Sequence, residues 1–176
     1  MRIIAGYLKG RIFRSPANSR THPMSDKIRG ALFNMLGDIE GLRVLDAFSG
    51  SGAVSFEAIS RGVALTVALE SDRQAQKTLA ANITDLDVGD KIEFIQSSAS
   101  AWLATSDDVF DIVILDPPYD NIQQDTILFL AKRTQLKGLV VMSLPVGTSL
   151  KLPSEYELLR TKLYGYAQLL VYRRMA

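Results

Sequence analysis

Val44-Leu45-Asp46-Ala47-Phe48-Ser49-Gly50-Ser51-Gly52-Ala53 decides how this chain folds: an apolar run ends on an acid, turns through glycines and opens into a second apolar stretch. A buried strand, a tight turn and a helix produce that pattern, because Gly50 and Gly52 permit backbone conformations that a side chain resists. The theme repeats downstream. Apolar runs at 42–46, 65–70, 92–96, 110–115 and 139–143 are strand candidates. Their continuous apolar character suits parallel strands buried on both faces. Helix candidates alternate with them at 53–61, at 72–86 behind Asp72 as a cap, at 98–104 and at 122–133. Such alternation predicts an open α/β sheet with right-handed crossovers. The rhythm breaks at the tail, where 156–163 and 167–173 flank Gly165 and predict a closing antiparallel pair.

Upstream of the glycine turn, Ser25 caps a predicted helix whose apolar face is Ile28, Ala31, Leu32, Met35 and Leu36, and Gly37 stops it. Before that lies a loop over 15–24. The start, Arg2-Ile3-Ile4-Ala5 and Arg11-Ile12-Phe13-Arg14 around Gly6-Tyr7-Leu8-Lys9-Gly10, predicts a β-hairpin. Residues 1–176 are thus expected to form one domain, with 1–24 as a basic hairpin and loop and 25–176 as the core.

Composition narrows the chemistry. An apolar fraction of 47% with 22% charged residues suits a soluble globular chain. There is no cysteine and one histidine, His22, so disulfides, thiolate zinc sites, cysteine nucleophiles and multi-histidine metal sites are excluded, and no metal is expected. No apolar run approaches the roughly 20 residues that span a bilayer. Met1-Arg2-Ile3-Ile4-Ala5-Gly6 is too short and too soon broken to act as a signal peptide, which makes a cytoplasmic location and no membrane partner the expectation. The net charge of +1 conceals an asymmetry, since residues 1–29 carry seven basic side chains against the single acid Asp26. A basic arm on an acidic body suits a polyanionic partner held at one end, although charge alone equally allows a solvated, flexible N-terminus.

In open α/β sheets ligands sit at the carboxyl ends of the strands. Asp46 ends the first strand there, and Gly50 and Gly52 let the backbone approach a ligand closely. Glu70 ends the second strand, where an acid accepts both hydroxyls of a ribose. A nicotinamide dinucleotide is the rival ligand. Against it, Ser55 holds the third glycine position, and Asp46 would repel a pyrophosphate but attract the amino group of a methionine. S-adenosylmethionine is the expected cofactor, with Asp46, Phe48, Gly50, Ser51, Gly52, Glu70, Ser71, Ser98 and Ala99 as its expected contacts. Ser98 offers a hydroxyl acceptor for the adenine amine, a weaker one than a carboxylate.

Asp116-Pro117-Pro118-Tyr119, directly after Ile112-Val113-Ile114-Leu115, is the sharpest signal. Two prolines fix an extended turn and donate no hydrogen bond, leaving the Pro117 carbonyl free. A planar amine placed before this corner gives one hydrogen to the Asp116 carboxylate and one to the Pro117 carbonyl, while Tyr119 lies on the flat face of its ring. An exocyclic amine is a poor nucleophile. Two acceptors fix it and aim it at a sulfonium methyl for in-line displacement. The catalytic candidates are Asp116, Pro117 and Tyr119, and a base so placed must be unpaired or flipped from its helix. Arg2, Lys9, Arg11, Arg14, Arg20, His22 and Arg29, with Pro118 at the corner, are the expected substrate contacts, the charged ones on phosphates. Tyr7 and Phe13 could stack on bases, but packing is the expectation for both.

With these residues in view, the chain resembles the RsmD family of bacterial methyltransferases, which modify guanine N2 in small-subunit (16S) ribosomal RNA. The likeness runs through Arg2-Ile3-Ile4-Ala5-Gly6, Lys9-Gly10-Arg11, Pro23-Met24-Ser25-Asp26-Lys27-Ile28-Arg29, Ala31-Leu32-Phe33-Asn34, the glycine turn, Glu57-Ala58-Ile59-Ser60-Arg61-Gly62, the Asp116 corner and Tyr164-Gly165-Tyr166. It implies a Rossmann-like class I methyltransferase: a seven-stranded, mostly parallel sheet with an antiparallel C-terminal hairpin and an N-terminal β-hairpin extension. It also implies 16S rRNA, or an assembling small subunit, as partner, with a monomer as the expected state. The corner motif alone is shared with adenine-N6 enzymes, so it gives the reaction and not the base. An adenine-N6 nucleic-acid methyltransferase and a catalytically silent RNA-binding module are the alternatives. His22, Gly30 and Ser143 depart from the family pattern.

Overall fold

The structure, a computed structural model, describes residues 1–15 and 24–176. Among these, the elements run α1 (Asp26–Leu36), β1 (Arg43–Asp46), α2 (Ala53–Ser60), β2 (Leu65–Leu69), α3 (Arg73–Leu86) and β3 (Ile92–Ile95), then α4 (Ala99–Leu103), β4 (Phe110–Leu115), α5 (Gln124–Ala131), β5 (Thr134–Pro145), β6 (Tyr156–Tyr164) and β7 (Ala167–Arg174). The seven strands form one sheet in the order β3-β2-β1-β4-β5-β7-β6. β1 to β5 pair in parallel, and β7 lies antiparallel between β5 and β6. The chain winds outward from β1 on one side and from β4 on the other, so the strand order reverses between them and opens a crevice at their carboxyl ends.

Alternate residues of each buried strand feed opposite layers. Val44, Ile112, Ile114 and Val141 pack with Leu32, Phe56 and Leu79 of the first three helices. Leu45, Val113, Leu115, Val140 and Met142 pack with Trp102, Ile127 and Leu130 of the last two. α1 begins where the Ser25 hydroxyl accepts the Ile28 N–H at 3.3 Å and ends at Gly37, whose φ of 78° suits only glycine well. No helix among the described residues is long and apolar enough to cross a membrane.

The N-terminal β-hairpin does not form as a pair of strands. Its arms meet at a single bridge, Arg2 to Ile12, and the segment is held instead by the body. The buried Glu57 carboxylate of α2 accepts the N–H groups of Ile4 (2.8 Å) and Ala5 (3.1 Å), while Ser60 accepts those of Tyr7 and Leu8. Ile3, Leu8 and Phe13 are buried in the same core layer as α1, so this segment is neither a solvated arm nor a projecting extension. β5 also differs, starting five residues before the expected 139. Gln135, Lys137 and Gly138 break the apolar run that would have marked it. The strand kinks there: its register shifts between Phe110 and Ile112 of β4, Lys137 has φ 66°, and a Cβ on Gly138 would lie 2.7 Å from the Asp111 carbonyl oxygen.

Candidate active site

A cavity of about 610 Å³ opens at the carboxyl ends of β1, β2 and β4. Phe48, Gly50 and Ser51 from the first turn, Glu70 and Ser71 after β2, Ser98 and Ala99 at the start of α4, and the whole Asp116–Tyr119 corner share its walls. The methyl-donor residues and the reaction corner expected from sequence therefore face one space, except Asp46 and Gly52, which lie off its wall.

The two glycines of the turn have different duties. A Cβ on Gly52 would lie 2.5 Å from both Leu79 Cδ1 and Phe56 Cε2, so that glycine lets the loop pack onto the core. A Cβ on Gly50 would meet nothing within 4 Å; it would stand in the open cavity. Asp46, 1% exposed, lies behind the loop with Ser55 donating to its carboxylate at 2.6 Å. Burial raises its pKa to about 6; Glu70 adds to the rise, and hydrogen bonds from Ser55, Ser49 and the Phe48 N–H oppose it. Glu70 accepts the Gly50 N–H at 2.7 Å through one oxygen and the Asp72 N–H at 2.7 Å through the other. Each carboxylate oxygen keeps a further lone pair. Glu70 therefore shapes the loop and still keeps acceptor capacity for the hydroxyls of a ligand. The Ser98 hydroxyl also caps α4, accepting the Ala101 N–H at 3.2 Å, and lies 3.2 Å from the Ser100 hydroxyl oxygen; when it donates to Ser100 one lone pair stays open. An open-faced glycine, an acceptor carboxylate and an apolar floor at Ala47 and Leu69 fit an adenosyl donor.

At the reaction corner, the Asn121 N–H takes the Pro118 carbonyl at 3.0 Å, while among the described residues the Pro117 carbonyl accepts no hydrogen bond. Burial raises the Asp116 pKa to about 7; a hydrogen bond from Ser143 opposes the rise and the nearby Asp46 adds to it. Burial likewise raises Tyr119 to about 12, again opposed by Ser143, whose hydroxyl oxygen lies 2.9 Å from the phenol oxygen. Tyr166 meets Tyr119 edge to face, ring centroids 6.2 Å apart. Ser143 and Tyr166 both line the cavity. Sequence reasoning misses both, because each reaches the corner only through the pairing of β5 with β4 and β7. The signals available were positional: Ser143 ends an apolar strand, and Tyr166 follows the turn glycine.

The expected phosphate contacts divide. Arg2, Lys9, Arg11 and Arg14 are exposed. Arg2 leans on Asp26 at 3.5 Å, Arg14 pairs with Asp85 at 2.9 Å, and Arg11 donates to the Asp85 carbonyl at 2.9 Å. Arg29 is fully buried, which removes it from any phosphate interface. Its guanidinium donates to the Arg2 carbonyl and Asp26, with Glu57 3.7 Å from Nε, so it ties the N-terminal segment to α1 and α2. Arg20 and His22 lie outside the described residues. Phe13 packs against Phe56 with centroids 5.4 Å apart, as expected, whereas Tyr7 stays 66% exposed.

Comparison with known proteins agrees with this architecture. A family model described as conserved hypothetical protein 95 matches residues 1–173. The chain is 32% identical over 181 residues to ribosomal RNA small subunit methyltransferase D of Escherichia coli, covering 100% of this chain and 91% of that one. The Haemophilus influenzae protein of the same name is 31% identical over 180 residues, covering 98% and 93%. The solved structure of yhhF from Escherichia coli superposes with a TM-score of 0.89 at 31% identity, covering 100% and 98%. A more distant chain, SMU.776, solved in complex with SAH, shares the fold at TM-score 0.68 and 16% identity, over 88% of this chain and 50% of that one. With both the family model and the sequence relatives running almost end to end, the chain belongs to the RsmD, or conserved hypothetical protein 95, family of S-adenosylmethionine-dependent methyltransferases.

Proposed function

We propose that this protein methylates the exocyclic N2 amine of a guanine in 16S ribosomal RNA, free or in an assembling small subunit. The single observation carrying this reading is the common cavity, in which the Asp116-Pro117-Pro118-Tyr119 corner faces the Gly50 and Glu70 walls. Glu70 holds the ribose, and Phe48, Gly50, Ser51, Ser71 and Ala99 shape the remaining contact. S-adenosylmethionine, bound there, supplies an electrophilic methyl on a sulfonium. Asp116 and the Pro117 carbonyl accept the two amine hydrogens and fix the nitrogen, and the Asp116 charge offsets the positive charge that develops on it. Tyr119 backs the ring. Small-subunit ribosomal RNA is supported by the names of the relatives, and guanine N2 by the resemblance to the RsmD family alone; neither follows from the corner itself.

The test is incubation with methyl-labelled donor and, separately, undermethylated small-subunit RNA, the corresponding particle, or DNA, followed by digestion to nucleosides. Labelled N2-methylguanosine is the expected product. Label confined to DNA adenine would overturn the assignment.

A further inference from the structure

Ser143 stands at one junction with both side chains of the reaction corner. Leu115 of β4 is in register with Met142 of β5, so the next residues, Asp116 and Ser143, sit side by side at the carboxyl ends of neighbouring parallel strands. Ser143 is 2% exposed overall yet borders the cavity. Its hydroxyl oxygen is 2.9 Å from the Tyr119 phenol oxygen, across 24 residues of sequence. A serine hydroxyl has one proton to give and two lone pairs to offer. Register places Ser143 beside Asp116, whose carboxylate its hydrogen bond favours, and a proton turned that way leaves the oxygen to accept from the Tyr119 O–H. One small group then joins the amine acceptor to the ring that backs the base. Tyr166 meets the same Tyr119 ring edge to face.

We infer that Ser143 is a positioning residue which, by bonding the Asp116 carboxylate and the Tyr119 phenol together, holds the amine acceptor and the stacking ring in fixed register. This rests on the reading of Asp116 as the acceptor of the target amine. Misplacement of a reacting group by as little as 1 Å can cost up to about a hundred-fold in rate, so the contribution of such a tie belongs in kcat and not in donor binding. Other charged or titratable groups face this junction too: Asp46 from the end of β1 with Glu70 behind it, and Tyr166 from the turn before β7. They remain in place when Ser143 is changed.

The experiment compares wild type with Ser143→Ala, Ser143→Thr, Tyr119→Phe and the double variant S143A/Y119F. It measures methyl transfer to the undermethylated RNA, donor affinity by calorimetry, and the Asp116 titration by carboxyl-carbon NMR, with Asp116→Asn assigning the resonance. Ser143→Ala should lower kcat by about ten-fold or more with donor affinity unchanged, and Ser143→Thr, which keeps the hydroxyl, should restore most of it. The double variant should lose little more than the worse single variant, because both remove the same tie. In Ser143→Ala the Asp116 titration should move to higher pH, having lost the hydrogen bond that opposed the rise, a change that general loosening of the fold would not mimic. An unmoved titration, or additive losses in the double variant, would overturn the inference even with the methylation reading intact. Wild type that titrates as expected but methylates no RNA amine would defeat that reading, and the positioning role with it.

Discussion

Asp116 sits where function and stability pull in opposite directions. In the role proposed for it, Asp116 accepts an amine hydrogen and offsets the developing charge best as a carboxylate, yet burial raises its pKa to about 7. Methyl transfer should therefore climb with pH through about 7, and a pH profile of kcat/KM for the free enzyme checks this. Stability runs the other way. A carboxyl whose folded pKa lies above its unfolded value stabilises fully at pH below the unfolded value, and that stabilisation is lost as pH rises through the folded one. Asp116→Asn should thus stabilise the fold relative to wild type at about pH 8, by a few kcal/mol at most and read as a higher Tm, and the gain should fade toward pH 4, where wild type is already protonated. Asp116→Ala should abolish methyl transfer while leaving donor affinity nearly unchanged, since the proposed donor contacts lie on Glu70 and the glycine loop and not on the corner. Equal loss of donor binding and turnover, by calorimetry and the labelled assay, would contradict the role given to Asp116.

Elements carry a second kind of prediction, in which the same loop separates packing from binding. Gly52→Ala forces a Cβ to within 2.5 Å of Leu79 and Phe56 at a φ of 87°, so chemical denaturation should show a large loss of stability. Gly50→Ala meets no atom and carries only the left-handed backbone cost of about 1–2 kcal/mol, but it intrudes on the cavity, so calorimetry should show weakened donor binding in a folded protein. The sequence pattern marked both glycines as one feature, because spacing does not say what a missing side chain would have touched. It marked the β1 turn, Glu70 and the Asp116 corner well, since strand end and motif adjoin in the chain. Three things escaped it. The first half of β5 hides behind Gln135, Lys137 and Gly138, the supposed hairpin is docked through Glu57 some 52 residues away, and the Ser143–Tyr119 contact exists only once β4 and β5 align. Each depends on a partner distant in sequence, and none leaves a local period to read. Glu57→Ala is the sharp check on the docked segment. Removing this buried acid strands Arg29 and frees the Ile4 and Ala5 amides, so stability should fall by about 3–5 kcal/mol and hydrogen exchange should quicken at those two amides first.

At the scale of the whole molecule, the charge asymmetry takes on a different meaning once Arg29 is withdrawn from the surface. The basic end still holds Arg2, Lys9, Arg11 and Arg14 in solvent, but three of these already lean on Asp26 or Asp85, and among the described residues Lys9 pairs with no acid. In the proposed complex an RNA phosphate would compete for the arginines and meet Lys9 uncontested. Contacts of this kind release counterions, so affinity for a single-stranded target should fall log-linearly with salt, by a slope of about 0.7 per phosphate neutralised. Lys9→Ala should therefore flatten the slope by about 0.7, measured by fluorescence anisotropy between about 50 and 200 mM salt, with Tm unchanged. Arg29→Met serves as the opposite control. It removes an equal formal charge from the same region, yet its guanidinium binds the Arg2 carbonyl, Asp26 and Glu57 and not solvent. It should lower Tm and leave the salt slope where it was. If the slope follows formal charge, so that both substitutions flatten it alike, the RNA senses the net field of the N-terminal region and the exposed side chains are not its specific contacts.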